Sequence, residues 1–244
     1  MKQRLDQLVV ERGLAPSRTR AAALILAGDV LVNGVPQTKA GTAVAVEAVI
    51  VLRRPDHPFV SRGGVKLAHA LQQFHLDVHG LVCLDAGAST GGFTDCLLQA
   101  GAARVYAVDV GKGQLAWALQ QDPRVIVWDA TNLRTLDPQR LPERLDLVTL
   151  DLAFISLTKV FATVGRLLRP GGAVLALIKP QFEVGKGHVG KGGIVRDAGV
   201  RDAAVAQVVA VAQGLDWRHH GRVESPLTGA DGNVEFLAHF TVPT

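Results

Sequence analysis

The sequence predicts an α/β protein in two parts, a small basic α+β module followed by a larger, mostly parallel sheet covered by helices on both faces. Three observations predict it. Past residue 80, short apolar runs alternate with helix-length segments: LVCLDAG, RVYAVDV, VIVWDA, LDLVTLDL and AVLALIK. Runs of this kind between helices read as strands buried on both sides, which is the habit of parallel sheets. The runs also end, in order, on Asp85, Asp109, Asp129, Asp151 and Lys179, and in open α/β sheets ligands sit outside the carboxyl ends of the strands. Finally, the net charge of +4 is unevenly placed: residues 1–60 hold eight Lys/Arg and five acids. A basic small end on a nearly neutral body suggests a polyanion-binding module joined to a catalytic one.

The bulk numbers exclude several classes. A chain of 244 residues, 48% hydrophobic and 20% charged, buries an ordinary globular core. Cys83 and Cys96 lie in apolar stretches and form no metal-ligand or disulfide pattern. No segment approaches the ~20 apolar residues that span a bilayer, and the opening MKQRLDQLVVERG has no signal-peptide core. The expectation is a soluble cytoplasmic protein with no membrane association and no metal.

In the first module, Leu5, Leu8 and Val9 recur at helical spacing. Ser17 is placed to cap a second helix that carries Arg18 and Arg20 in its first turn and ends near Gly28. Asn33-Gly34 between apolar residues is a hairpin signal, and AVAVEAVIVL supplies further strand. The stretch RLDQLVVERGLAPSRTRAAALILAGDVLVNG resembles the S4 RNA-binding domain. That resemblance implies that Arg4, Arg18 and Arg20 face phosphates of structured RNA. The module is assigned residues 1–54, and the proline- and charge-rich RRPDHPFV places a linker at 55–62; the larger domain is then 63–244.

The larger domain opens its ligand turn at DAGASTGG. Only Gly87 and then Gly91-Gly92 are present, so this is not G-x-G-x-x-G, and Asp85 stands immediately before the turn. A carboxylate there repels a pyrophosphate, which favours a cofactor with a cationic amino-acid portion. S-adenosylmethionine fits. Asp109 is expected to accept from ribose hydroxyls and Asp129 to meet the adenine amine, while the glycines let the backbone approach closely. The expected cofactor contacts are Asp85, Gly87, Ala88, Ser89, Gly91, Gly92, Phe93, Asp109, Val110, Asp129 and Ala130. A second glycine-rich stretch, GKGHVGKGG, imitates a P-loop but has Gly192 where the Ser/Thr should be. It reads as a loop over the site, with Lys186, His188 and Lys191 within reach of RNA.

The methyl acceptor is narrowed by what is missing. Asp151 is followed by no proline pair of the sort that grips a planar amine, and neither cysteine sits on the rim as a base-methylating nucleophile would require. A hydroxyl acceptor remains. Lys66 lies in a helix leading to the first strand, and Glu235 opens the final strand; Glu235 reaches the rim only if that strand is antiparallel to the rest.

Together SRGGVKL, DAGASTGGFTD, DVGKGQLAW, DLAFISL, IKPQFEVGKG and GNVEFL resemble the TlyA family of ribosomal RNA 2′-O-methyltransferases, some of whose members carry the label haemolysin. The resemblance runs end to end. It implies a Rossmann-like class I methyltransferase related to FtsJ, with a seven-stranded sheet whose last strand is antiparallel, behind an S4 domain. It implies a catalytic tetrad of Lys66, Asp151, Lys179 and Glu235, and it puts Arg62 with the RNA-binding residues. Ala153 is a mild departure, since the family more often has Ser there.

Lys179, at a strand end, is the expected base, provided its amine is pulled well below the ~10.4 of a free lysine; Lys66 would hold the developing alkoxide or the adjacent phosphate, with Asp151 and Glu235 orienting the lysine heads. The resemblance further suggests cytidine as the target and, from the chain's shortness, a large-subunit site. Two rival expectations stand beside this one: a membrane-lytic protein, and a non-catalytic ribosome-binding or assembly factor.

Overall fold

A computed structural model of the chain describes residues 1–53, 57–229 and 231–244; the Lys186 side chain also lies outside the described residues. The chain forms two compact units, Met1–Pro58 and Phe59–Thr244. The first boundary falls inside the span read as a linker, of which Pro55 and Asp56, with the neighbouring Arg54, are outside the described residues.

In the first unit, β1 (Lys2–Arg4) leads into α1 (Leu5–Glu11), and α2 (Arg18–Leu26) follows. The Ser17 hydroxyl accepts the Arg20 N–H at 3.2 Å, capping α2 as its residue type dictates. β2 (Val30–Val32) and β3 (Val35–Gln37) pair across Asn33-Gly34, both with positive φ, 49° and 82°. That is the turn geometry whose twist suits a hairpin. β4 (Ala43–Ala45) pairs with β1, and β5 (Ile50–Leu52) completes a three-stranded sheet in the order β3-β2-β5. Leu5, Leu8, Val9, Ile25, Val30 and Ile50 close the core between helices and strands.

The second unit begins with α3 (Gly63–Gln73), then β6 (Val82–Ala86), α4 (Gly92–Gln99), β7 (Arg104–Val108), α5 (Trp117–Gln120), β8 (Val125–Trp128) and β9 (Leu145–Leu150). It continues with α6 (Phe161–Leu167), β10 (Leu168–Ile178), α7 (Pro180–Glu183), α8 (Ala198–Gln213), β11 (Arg218–Glu224) and β12 (Phe236–Thr241). The seven strands form one sheet in the order β11-β12-β10-β9-β6-β7-β8. Pairs from β10 through β8 are parallel, and β12 runs antiparallel to both its neighbours. This is the mostly parallel sheet the apolar runs predict, with the antiparallel last strand that the family resemblance implies.

Alternation along the strands sorts the two faces. Leu84, Val148, Leu150, Val174, Ala176 and Ile178 pack toward α6 and α8. Cys83, Leu147, Leu175, Leu177 and Leu237 pack toward α3 and α4. The second set, at odd positions, matters for the site. Among the described residues, no helix is long and apolar enough to cross a membrane.

Candidate active site

Strand pleat and register bring distant residues to one rim. Side chains two apart share a face, so Asp151 continues the Leu147–Thr149 side of β9, and Lys179 continues the Leu175–Leu177 side of β10. In the antiparallel pair, Ile178 opposes Phe236. One step further along that register sets Glu235 opposite Lys179, on the side shared with Leu237. Lys66 lies on α3, the helix that buries Leu67 and Ala70 against this same face.

The side chains meet as these positions require. Lys179 Nζ is 2.6 Å from Asp151 Oδ1, and Lys66 Nζ is ion-paired with Glu235 Oε2. Exposure is 11% for Lys66, 3% for Glu235, 13% for Lys179 and 23% for Asp151, so both pairs are largely shielded from water and from salt screening. All four line one cavity of about 370 Å³, together with Ser61, Arg62, Gly87, Ala88, Ser89, Thr90, Gly92 and Phe93. Each lysine thus has its own acid.

A second cavity, of about 520 Å³, adjoins the first and shares Gly87, Ser89 and Asp151 with it. Its walls combine Val108, Leu133, Ile155 and Val160 with Asp109, Gln114, Thr131 and Asn132. An apolar slot with a few hydrogen-bonding groups along one side suits a nucleoside. Gly87 is the hinge between the cavities. Its φ is +83°, and a Cβ there would lie 2.3 Å from the Asp151 carbonyl oxygen, so the turn has room for glycine only. The Asp151 N–H in turn donates to the Ala86 carbonyl at 2.9 Å, which fixes the acid beside the turn.

The expected cofactor residues divide. Gly87, Ala88, Ser89, Gly92, Phe93, Asp109 and Val110 line one cavity or the other. Asp109 also braces the turn, accepting the Ser89 N–H at 2.9 Å and the Gly111 N–H at 2.7 Å. Asp85 is on neither wall. It lies inside β6 on the odd-numbered face, fully buried, where it accepts the Thr94 N–H and hydroxyl at 2.9 and 2.7 Å and the Thr149 hydroxyl at 3.2 Å. Burial pushes its carboxyl up to about 7, against the pull of Thr94. Repulsion of a phosphate at this turn therefore falls to Asp109 and Asp151. Asp129 is exposed and accepts the Gly113 N–H at 2.7 Å. Neither it nor Ala130 lines the nucleoside cavity; Thr131 and Asn132, just beyond, do. Gly91 is not on either wall but caps α4 in the left-handed conformation.

Among the expected RNA contacts, Arg62 lines the tetrad cavity and Lys191 is exposed in a short 3-10 turn. Lys186 lies outside the described side chains. In the first unit Arg4 and Arg18 pair with Asp6, and Arg20 lies against His57.

Glu183 was not singled out from the sequence. It is buried and accepts the Ser156 hydroxyl at 2.6 Å and the Leu157 N–H at 2.9 Å. Burial pushes its carboxyl above the usual range, against these hydrogen bonds. It thereby ties the segment after Lys179 to the segment after Asp151, and Phe154 and Phe182 make a second tie, ring centroids 5.3 Å apart. Phe154 itself is 91% exposed, with φ +64°. An E two residues after K-P-Q carries no local signal of this.

Cys83 and Cys96 are buried free thiols, each pushed by burial up to about 12. A thiolate nucleophile is therefore disfavoured at both. No group of three or more metal-binding side chains occurs among the described residues.

A sheet of this order, with a glycine turn after the central strand β6 and a nucleoside-shaped cavity over the strand ends, defines a class I methyltransferase. The chain belongs to the FtsJ-like methyltransferase family, which it matches over residues 59–241, and residues 3–50 match the S4 domain. It is 49% identical over 237 residues to a Mycobacterium tuberculosis protein named 16S/23S rRNA (cytidine-2'-O)-methyltransferase TlyA, covering 97% of this chain and 88% of that one. A solved Streptococcus thermophilus structure with a provisional hemolysin designation is 40% identical, covers 99% of this chain and 89% of its own, and superposes with a TM-score of 0.79. The N-methyltransferase NodS of Bradyrhizobium japonicum, solved with S-adenosyl-l-homocysteine, shares the fold alone, at 18% identity and a TM-score of 0.54 over 76% of this chain and 90% of its own.

S-adenosylmethionine is the methyl donor of this enzyme, and the residues present fit it. The glycine-only turn at Gly87 leaves the backbone open, the nucleoside cavity supplies Asp109 and Asn132 to polar groups, and Asp151 offers negative charge where the two cavities join.

Proposed function

We propose that this chain methylates the 2′-hydroxyl of a ribose, that of a cytidine, in ribosomal RNA, acting in the cytoplasm without a metal and with the large subunit as the favoured particle. The single observation that supports this reading most is the shared rim. Two lysine–carboxylate pairs from four separate segments border a cavity that opens onto the nucleoside cavity. The S4 module and the name of the Mycobacterium tuberculosis relative support RNA as the acceptor.

A ribose hydroxyl is a poor nucleophile until its proton leaves. In this reading Lys179, steered by Asp151, takes that proton. Lys66, held by Glu235, stands against the oxygen as negative charge develops, and Arg62 meets the adjoining phosphate. Bound S-adenosylmethionine supplies a methyl carbon activated by its sulfonium. The proton taken from the hydroxyl would rest on Lys179, whose place beside Asp151 is fixed. The walls contribute mainly orientation and dryness. A 2′-hydroxyl exists only in RNA, so module and chemistry agree on one substrate.

The test is transfer of tritiated methyl groups to separated small and large ribosomal subunits, followed by alkaline hydrolysis. Label in an alkali-resistant dinucleotide at a cytidine is the expected result, since a methylated ribose blocks cleavage there. Label on a base overturns the ribose assignment, and label confined to the small subunit overturns the large-subunit preference.

A further inference from the structure

In the first unit one buried carboxylate holds two arginines. Asp6, in the first turn of α1, is 4% exposed. Its Oδ1 accepts from Arg4 Nε at 3.0 Å and from the Gln7 N–H at 3.0 Å. Its Oδ2 accepts from Arg4 Nη2 at 2.9 Å and from Arg18 Nη2 at 3.0 Å. The arginines come from different elements: Arg4 ends β1, and Arg18 opens α2. Both side chains remain open to solvent, at 51% and 58%.

This arrangement differs from an ordinary structural clip. Arg12, near the end of the same helix, points Nη1 and Nη2 at two backbone acceptors, the carbonyls of Ala48 and Val46, and holds no second cation. At Asp6 one cation would already neutralise the acid. The second leaves a net positive charge, and Arg18 Nε and Nη1 have no protein acceptor among the described residues. Two guanidinium groups on one oxygen would repel if left alone, and two long side chains would sample many rotamers. The carboxylate removes both obstacles. Arg4, with Arg18 adding to it, holds the Asp6 carboxyl well below the usual carboxylate range despite its burial, so the cluster keeps its charge at neutral pH. Arg4 Nη1 also lies close over Gly41, where a Cβ would come within 3.3 Å.

We infer that Asp6 is a positioning residue that sets Arg4 and Arg18 as one preformed seat for a backbone phosphate of structured RNA. A phosphodiester carries one negative charge and accepts several N–H donors, which matches a net single positive charge with a spare guanidinium edge. The inference rests on the reading of this unit as RNA-binding.

The two accounts of Asp6 differ in sign. By net charge alone, removing an acid from a protein that binds a polyanion tightens binding. By positioning, it weakens it. The experiment measures binding of the full chain to deproteinised large-subunit ribosomal RNA over a series of salt concentrations. Asp6→Asn is expected to weaken binding on the order of tenfold and to flatten its salt dependence. The Arg4→Ala/Arg18→Ala pair should weaken it at least as much, with no further loss when Asp6→Asn is added to that pair.

Equal or tighter binding by a folded Asp6→Asn protein overturns the inference. Unchanged binding by the double arginine variant overturns instead the RNA-binding reading beneath it. Thermal melting checks the fold. Should Asp6→Asn unfold the unit, Arg18→Lys takes its place: it keeps the charge and loses the fork. Binding like that of the unsubstituted protein would then overturn the inference.

Discussion

At Gly87 the site depends on a side chain that is absent. A methyl group there meets the Asp151 carbonyl at 2.3 Å, on a backbone with φ +83°. Gly87→Ala is therefore expected to cost about 1–3 kcal/mol of stability and to weaken S-adenosylmethionine binding more than tenfold, as read by calorimetry. Glu183→Ala strands the Ser156 hydroxyl and the Leu157 N–H in the interior and should cost about 1–3 kcal/mol by chemical denaturation. Glu183→Gln, which keeps an acceptor, should recover most of it.

Residues at strand ends were legible because a break in an apolar run marks them, and Asp109, Asp151 and Lys179 all line a cavity. Asp85 misled for a physical reason. It falls one residue before the end of β6, so the pleat still governs its direction and turns it under α4 toward Thr94. Glu183 could not be read at all, since its partners lie 26 and 27 residues away.

Among the elements, β12 decides whether the site exists, because only an antiparallel strand brings Glu235 to the rim. Its outer neighbour β11 was not legible from the sequence: RHHGRVE has no apolar run, and its residues alternate between exposed and half-buried at the sheet's edge. β-propensity is weak evidence for such a strand, which is recruited by pairing with a neighbour.

This edge also carries a pH dependence. His239 on β12 is buried, with its ring stacked on His220 at 4.4 Å and against Phe74 at 5.4 Å. Burial first, then the neighbouring His220 and His219, lower it from 6.5 to about 4. The unfolded chain takes up this proton at higher pH than the folded one does. Stability is therefore complete above pH 6.5 and falls as the pH drops through 6.5 toward about 4. Across this window the unsubstituted protein should lose melting temperature relative to His239→Phe as the pH falls. Parallel curves would show that His239 does not titrate in this way.

For the whole molecule, the division into Met1–Pro58 and Phe59–Thr244 separates a basic module from a nearly neutral body. A chain starting at Phe59 keeps both cavities' residues. It is expected to bind S-adenosylmethionine within a few-fold of the full chain, yet to lose most of its transfer to ribosomal RNA and much of the salt dependence of that transfer. The parallel strands from β6 to β10 and the cofactor class were legible, because apolar periodicity and glycine turns are local signals. The joining of Lys66 to Glu235 was legible only through family resemblance, since 169 residues separate them.

Single-turnover methyl transfer to ribosomal RNA by Lys179→Ala, with S-adenosylmethionine affinity measured on the same preparation, tests the central claim most directly. The account predicts a rate at least about a hundredfold lower with cofactor affinity essentially unchanged. A rate within a few-fold of the unsubstituted protein would contradict it.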